Sequence, residues 1–264
     1  MAQELSFRDI QVSSDQVEVR KIGLGDLWAS LREGYDDFNA KPSYGLFLIL
    51  IYPVFALLVT LFLLGENLLY LVFPMVAGFT LLGPVVSVVL FEMSRRRERG
   101  LELSWFSAFD FVHTSSFAPI VALSMMMMLL YVAWLSMAQF MYFGLFGVDP
   151  PASVADFLNQ LLTTQRGAAL ILYGNFVGFL FAFTVLAISV VGFPLLLDRP
   201  ATAFTAIGIS IRAVATNVWV MAVWGVIVVL LLAAGASLLL MGLPAILPIL
   251  GHSTWHLYRK MVEP

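Results

Sequence analysis

Two histidines four residues apart, His252 and His256, close the last apolar stretch of this chain. On a helix that spacing sets both rings on one face, the arrangement metal-binding helices use. A metal needs three or four ligands, and His113, Glu92 and Asp198 stand at the ends of other apolar stretches on what the charge pattern marks as the same surface. The candidate set for a metal ion is His252, His256, His113 and Glu92, and a single haem near that face is the related expectation. No glutamate follows His252 in a His-Glu-x-x-His pattern, so the pair lacks a metalloprotease base. The bland role is interfacial, since His, Trp255 and Tyr258 rings suit a headgroup layer. A second group, Asp198, Arg199, Trp255, Tyr258 and Arg259, reads as a rim where a partner docks. The run Met125–Met128 points round a whole helix at ~100° per residue, so it packs rather than converging on copper. No Ser/His/Asp arrangement, phosphate-binding glycine loop or facing carboxylate pair is apparent, and enzymatic function is the least supported class.

Stepping outward, the elements that hold these residues are set by the 14 Lys and Arg. They gather in the N-terminal segment, at Arg95, Arg96, Arg97 and Arg99, at Arg199 and Arg212, and at Arg259 and Lys260, with Arg166 alone outside the pattern. Long apolar stretches separate the clusters. A Lys or Arg at the bilayer centre costs roughly 2.5–3.5 kcal/mol, and basic loops stay cytoplasmic. The basic clusters therefore mark every second connection of a multi-pass protein with both termini in the cytoplasm. Across 264 residues, 61% are hydrophobic and 12% charged, against roughly 25% charged in soluble proteins. A net charge of −3 argues against a nucleic-acid partner. The absence of cysteine excludes disulfides, thiolate metal sites and cysteine nucleophiles. Residues 1–43 have neither a basic n-region nor an apolar h-region, so the first span is expected to act as an uncleaved insertion signal.

The expected architecture is all-α transmembrane: a cytoplasmic arm over 1–43 with an amphipathic helix, then a six-helix bundle over 44–264. The expected spans are 44–64, 68–91, 117–145, 168–197, 213–234 and 237–257. The fourth is too long for a straight crossing and is expected to tilt or break near Gly192 and Pro194. Three amphipathic lead-ins precede the spans. The first runs from Asp26, taken as its N-cap, with Leu27, Leu31 and Phe38 on one face. The second carries Trp105, Phe106, Phe109 and His113 on its apolar side, and the third Phe204, Ile207, Ile211 and Val214. Residues 17–22 alternate and could form a short strand. Pro84 to Arg95 repeats the spacing of Pro248 to Arg259, aligning Glu92 with His256 and Phe91 with Trp255, which suggests three repeated helical hairpins.

Lys21–Phe38, running on through Pro42 to Tyr52-Pro53, together with Gly251-His-Ser-Thr-Trp-His-Leu-Tyr-Arg-Lys260 and Pro194–Arg199, resembles a bacterial family of predicted integral membrane proteins. That family carries only a domain-of-unknown-function label, 2189. The resemblance implies a bacterial inner-membrane protein with no assigned activity. Some members carry a label linking them to cytochrome oxidase, with no haem-ligand pattern behind it here.

The leading functional expectation is a non-enzymatic accessory, assembly or scaffold factor for a membrane complex. Its partners would be the lipid bilayer, another membrane protein, and a second copy of the chain. The alternatives are a small-solute transporter or channel and a metal- or haem-binding protein. Asn175, Thr184, Ser189 and Gln139, polar residues inside spans, are uncharged, and the absence of a mid-span charge counts against coupled transport. Gly83-Pro84 and Gly192-Phe193-Pro194 serve a broken-helix transporter or an ordinary kink equally, and Gly174-x-x-x-Gly178 fits close packing within or between chains.

Overall fold

The computed structural model describes residues 17–41, 57, 59–62, 64, 68–104, 106–237 and 242–263. The arm before Val17, most of the first expected span at 44–64, its turn at Gly65-Glu66-Asn67, and Trp105 lie outside the described residues. The described chain is all-helical. Its helices are α1 (Leu24–Ala40), α2 (Leu69–Phe79), α3 (Gly83–Glu98), α4 (Phe117–Phe146), α5 (Val154–Thr163), α6 (Gln165–Ser189), α7 (Gly192–Asp198), α8 (Ala203–Thr216), α9 (Val218–Ser237) and α10 (Leu243–Met261), with 3-10 turns at Thr80–Leu82 and Ser107–His113. Among the described residues four helical segments are long and apolar enough to cross a membrane: Leu69–Glu98, Phe117–Phe146, Gln165–Asp198 and Val218–Ser237. α10 is not among them, because the polar sequence from His252 onward dilutes its apolar first half.

The chain divides into two compact units. The larger takes residues 1–50, 84–124 and 186–264. In it the N-cap of α1 is Gly23, not Asp26. Asp26 sits one turn in and its carboxylate accepts the Gly23 N–H at 2.8 Å, the reciprocal half of a capping box. The buried stripe of α1 is Leu27, Ser30 and Gly34, at helical spacing, and it lies against α10. A Cβ on Gly34 would fall 2.8 Å from the Ser253 Cα, so only glycine permits that crossing. Pro194 has no N–H, so the Val190 carbonyl loses its helical donor and the helix breaks at Val190–Val191 before α7 resumes. Ser210 of α8 accepts the Val191 N–H at 3.2 Å, satisfying an amide that the break exposes. The expected break near Gly192 is thus present.

α8 is capped by Thr202, whose hydroxyl accepts the Thr205 N–H at 3.1 Å. Its buried face is Ala206, Ile209, Ser210, Ala213 and Val214, while Phe204 (87% exposed) and Ile211 point outward. The expected apolar face of Phe204, Ile207, Ile211 and Val214 is therefore split. Three of the five inward side chains are Ala or Ser, and Ile209 and Val214 fill the rest of the face. The second lead-in is corrected in the same way: Ala108 and Phe111 are buried, whereas Phe106, Phe109 and His113 are exposed.

The smaller unit takes residues 51–83 and 125–185. Pro74 lies inside α2, and two side chains of α4 bond the carbonyls there: the Trp134 indole donates to the Pro74 carbonyl at 2.8 Å and the Tyr131 hydroxyl to the Met75 carbonyl at 3.3 Å. Gly78 makes room for the Trp134 ring, since a Cβ there would lie 2.5 Å from its Nε1. Pro84 withholds a donor from the Thr80 carbonyl, and the backbone tightens to the 3-10 turn before α3. At the far end Tyr70 stacks on Tyr142 with centroids 4.2 Å apart, and Gln139 donates to the Tyr70 hydroxyl at 3.2 Å.

Candidate functional site

Two knots of polar side chains hold the larger unit together. The first centres on Asp37. α1 presents Glu33 and Asp37, α10 presents His252, His256 and Lys260, and α3 presents Ser94 and Arg97, each set on one helical face. Asp37 accepts from the Ser94 hydroxyl at 2.5 Å, pairs with His256 Nε2 at 2.9 Å, and accepts from Arg97 at 2.5 Å. Ser94 also meets His252 Nδ1 at 2.7 Å, and Lys260 donates to Glu33 at 2.5 Å. Burial alone would raise the Asp37 carboxyl, but hydrogen bonds from His256 and Ser94 and the nearby histidines bring it down from 3.8 to about 2.

Ser94, His252 and Asp37 are the residue types of an acyl-transfer triad, which the sequence spacing did not reveal. Their connectivity is different. Asp37 bonds the serine directly and stands 3.9 Å from His252, so it does not orient the imidazole, and Ser94 is 1% exposed. The chemistry this arrangement supports is tying α1, α3 and α10 together.

The second knot gathers the C-terminal ends of α3, α7 and α10 around Asp198. Its carboxylate accepts from the Tyr258 hydroxyl at 2.9 Å, from Arg259 at 3.3 Å and from Arg99 at 3.1 Å, with Arg199 3.9 Å away. Glu98 accepts from the Trp255 indole at 3.2 Å and from Arg259 at 3.1 Å. Burial foremost, and then the Asp198 charge, hold the Tyr258 phenol above its ordinary value. Glu98, Arg99, Asp198, Arg199 and Arg259 line a cavity of about 460 Å³. All five rim residues singled out from the sequence meet in this one network. Glu98 and Arg99 join them unforeseen, although both belong to the charged cluster that closes α3.

The proposed metal ligands do not converge. Glu92 turns to Arg95 at 2.7 Å and Arg96 at 3.5 Å, His113 is exposed at the end of its 3-10 turn, and the two α10 histidines face α1. Among the described residues no group of three or more His, Asp or Glu side chains is placed to hold a metal ion. The i, i+4 reading of His252 and His256 was sound in direction. What it missed was the acidic face of α1, whose signal in the sequence is Glu33 and Asp37 at the same four-residue spacing.

A clasp joins the two ends of the described chain. Val19 bridges Val262, Arg20 N–H donates to the Met261 carbonyl at 2.8 Å, and Arg20 pairs with Glu263. Asn217, at the corner between α8 and α9, accepts the Ile22 N–H at 2.8 Å and donates to the Arg20 and Ala213 carbonyls, both at 3.0 Å. The alternating residues 17–22 are thus bound as one isolated bridge, with no strand among the described residues.

Residues 72–198 match the model of the family described as a predicted integral membrane protein (DUF2189), the family expected from the sequence. The matched segment includes Glu92, His113 and Asp198 and stops before α10. No curated protein and no solved structure matches the chain. The chain is accordingly an integral membrane protein, with its apolar helices in contact with lipid.

Proposed function

We propose that this protein is a non-enzymatic accessory or scaffold factor of a membrane complex, acting from its basic rim on the cytoplasmic side of a bacterial inner membrane. The observation that carries the reading is how the reactive side chains are used. Asp37, Ser94, Glu98, Asp198, His252, His256 and Tyr258 all bond across helices, so the polar chemistry builds a rigid platform. Around it Trp28 (69% exposed), Phe106 (85% exposed) and Phe204 present large apolar surfaces, of the kind that marks membrane or protein contact. The basic clusters favour an inside position for this rim by the positive-inside rule, and the matching Pro84–Arg95 and Pro248–Arg259 spacings support a repeated hairpin plan.

The transporter reading has less support. Gln139 is bonded to Tyr70, Gly192-Phe193-Pro194 is buried, and Asn175 bonds its own helix.

A photo-crosslinking residue in place of Trp28 tests the reading in intact membranes. We expect a discrete adduct with a different membrane protein that survives solubilisation. Adducts with lipid and with the chain itself alone would sink it. Because the chain has no cysteine, single thiols at Lys41 and Asp149 with an impermeant label check the orientation. Asp149 is expected to label from outside and Lys41 only after the membrane is opened. The purified protein is expected to be colourless and free of stoichiometric metal, as read by absorption and elemental analysis.

A further inference from the structure

Between α4 and α6 the chain inserts a helix of 10 residues, α5, whose two sides differ in chemistry. At ~100° per residue, Phe157, Leu161, Val154, Leu158 and Leu162 share one arc of roughly 140°, and Asn159, Thr163, Asp156 and Gln160 fill the opposite side. The polar side bonds within itself. Gln160 donates to the Asp156 carboxylate at 2.9 Å, and the Thr163 hydroxyl to the Asn159 carbonyl at 2.6 Å. The apolar arc is covered along one flank only. Phe157 meets Tyr142 of α4 with ring centroids 6.3 Å apart, and Leu161 beside it is half-buried. Val154, Leu158 and Leu162, on the other flank, are 51%, 47% and 72% exposed.

Contacts at both ends fix the level of α5 against its neighbours, each long and apolar enough to cross a bilayer. Tyr142 lies about 6 Å before the end of α4 at Phe146, at ~1.5 Å per residue. Thr164 alone separates α5 from α6, and its hydroxyl caps α6 by accepting the Gly167 N–H at 3.0 Å. A Cβ on Gly167 would collide with the Gln160 and Leu161 carbonyls, so the last turn of α5 lies directly on the first turn of α6. Arg166 stands in that first turn, exposed, the only basic residue between Arg99 and Arg199. A guanidinium stays out of hydrocarbon, so the acyl layer begins beyond it. Both ends of α5 are therefore held where a span leaves the bilayer.

We propose that α5 is an interfacial helix, seated in the headgroup layer with Val154, Leu158 and Leu162 against the acyl chains and the Asp156–Gln160 side turned to water. Lipid is the occupant because the spans deliver this flank to the edge of the acyl layer, where aliphatic side chains are solvated by lipid tails. The polar side of α5 carries no Lys or Arg, so anionic lipid is not what draws it down. Tethering to α4 and α6 brings the helix to the surface, and its apolar arc sets which side enters. One flank of that arc is covered by protein and the other is left for lipid, as a helix wedged between bundle and bilayer requires. The inference goes beyond the scaffold reading and stands without it.

The cysteine-free chain gives a clean test. Nitroxide labels are placed one at a time on Leu158→Cys, Leu162→Cys, Asn159→Cys and Thr163→Cys, four exposed positions where a label leaves the packing intact. The full-length protein is reconstituted in vesicles of phosphatidylethanolamine and phosphatidylglycerol. Each label is then read for collision with dissolved oxygen, which concentrates in hydrocarbon, and with a water-soluble nickel chelate. We expect the oxygen-to-nickel ratio to be several-fold higher at 158 and 162 than at 159 and 163. Similar ratios at all four positions would put the whole helix in water. Labels at 158 and 162 shielded from both reagents would put protein on that flank. Either result would overturn the proposal.

Discussion

At the scale of single residues, Asp37 and Asp198 do the same work in different places. Each is a nearly buried carboxylate, with 8% of its side chain exposed, that several cations and hydroxyls from other helices meet. Removing such an acceptor strands the donors around it, and that cost exceeds what the bonds contributed. Asp37→Asn and Asp198→Asn are each expected to lower stability by about 2–3 kcal/mol, read as a fall in the thermal unfolding midpoint in detergent. Asp37 also sets an acid limit. Its folded value, about 2, lies below the ordinary 3.8, so its contribution is complete above about pH 4 and disappears as pH falls through about 2. The contribution is ~2 kcal/mol, and Asp37→Asn should flatten that part of the stability-versus-pH curve. An unaltered acid limb in the variant would show that another carboxylate controls it.

At the scale of elements, the contact between α1 and α10 depends on small residues as much as on the Asp37 knot. Gly34 is where the helices cross most closely, and Ser30, a turn earlier, is fully buried with no partner for its hydroxyl among the described residues. Gly34→Leu is expected to displace α1, with a loss of at least ~2 kcal/mol from overpacking and faster amide exchange through Leu24–Ala40. Gly25→Ala has nothing within 4 Å of the new methyl, and its stability should stay within ~0.5 kcal/mol of native. If both substitutions behave alike, the crossing is not what holds α1. Helix periodicity in the sequence located α1 and α8 well. It did not say which apolar residues turn inward. In α8 the bulky Phe204 and Ile211 face out and Ala206, Ser210 and Ala213 face in. In a membrane protein both sides of a helix meet apolar surroundings, so hydrophobicity no longer marks the core side and closeness of approach decides instead.

At the scale of the whole molecule, Asn217 and the Val19–Val262 bridge bind the N-terminal segment to the last residues of α10. Asn217→Leu keeps the branched shape of the side chain and removes three hydrogen bonds. It should release residues 17–22 and speed tryptic cleavage at Arg20 and Lys21 by about tenfold or more, because cleavage follows the population of the opened segment. Unchanged cleavage would mean that the Arg20–Glu263 pair and the bridge suffice. The same Asn217 explains why the apolar helix α9 begins at Val218 and not at 213: its side chain turns back to the Ala213 carbonyl and the N-terminal backbone, ending α8.

The amino-acid pattern alone determined the class of protein, an apolar helix over 117–146 to within one residue, the break near Pro194 and the meeting of Asp198, Arg199, Trp255, Tyr258 and Arg259 in one network. These follow from local rules: apolar length against bilayer thickness, proline's missing N–H, and charge excluded from lipid. Which partner each polar side chain takes was decided only in three dimensions. His252 and His256 were visible as a pair, yet it is the crossing of α1 at Gly34 that brings Asp37 to them and leaves Glu92 to the arginines. Contacts between residues 37 and 256 join positions more than two hundred apart in sequence, and no local periodicity encodes that meeting; close packing of one helix on another does.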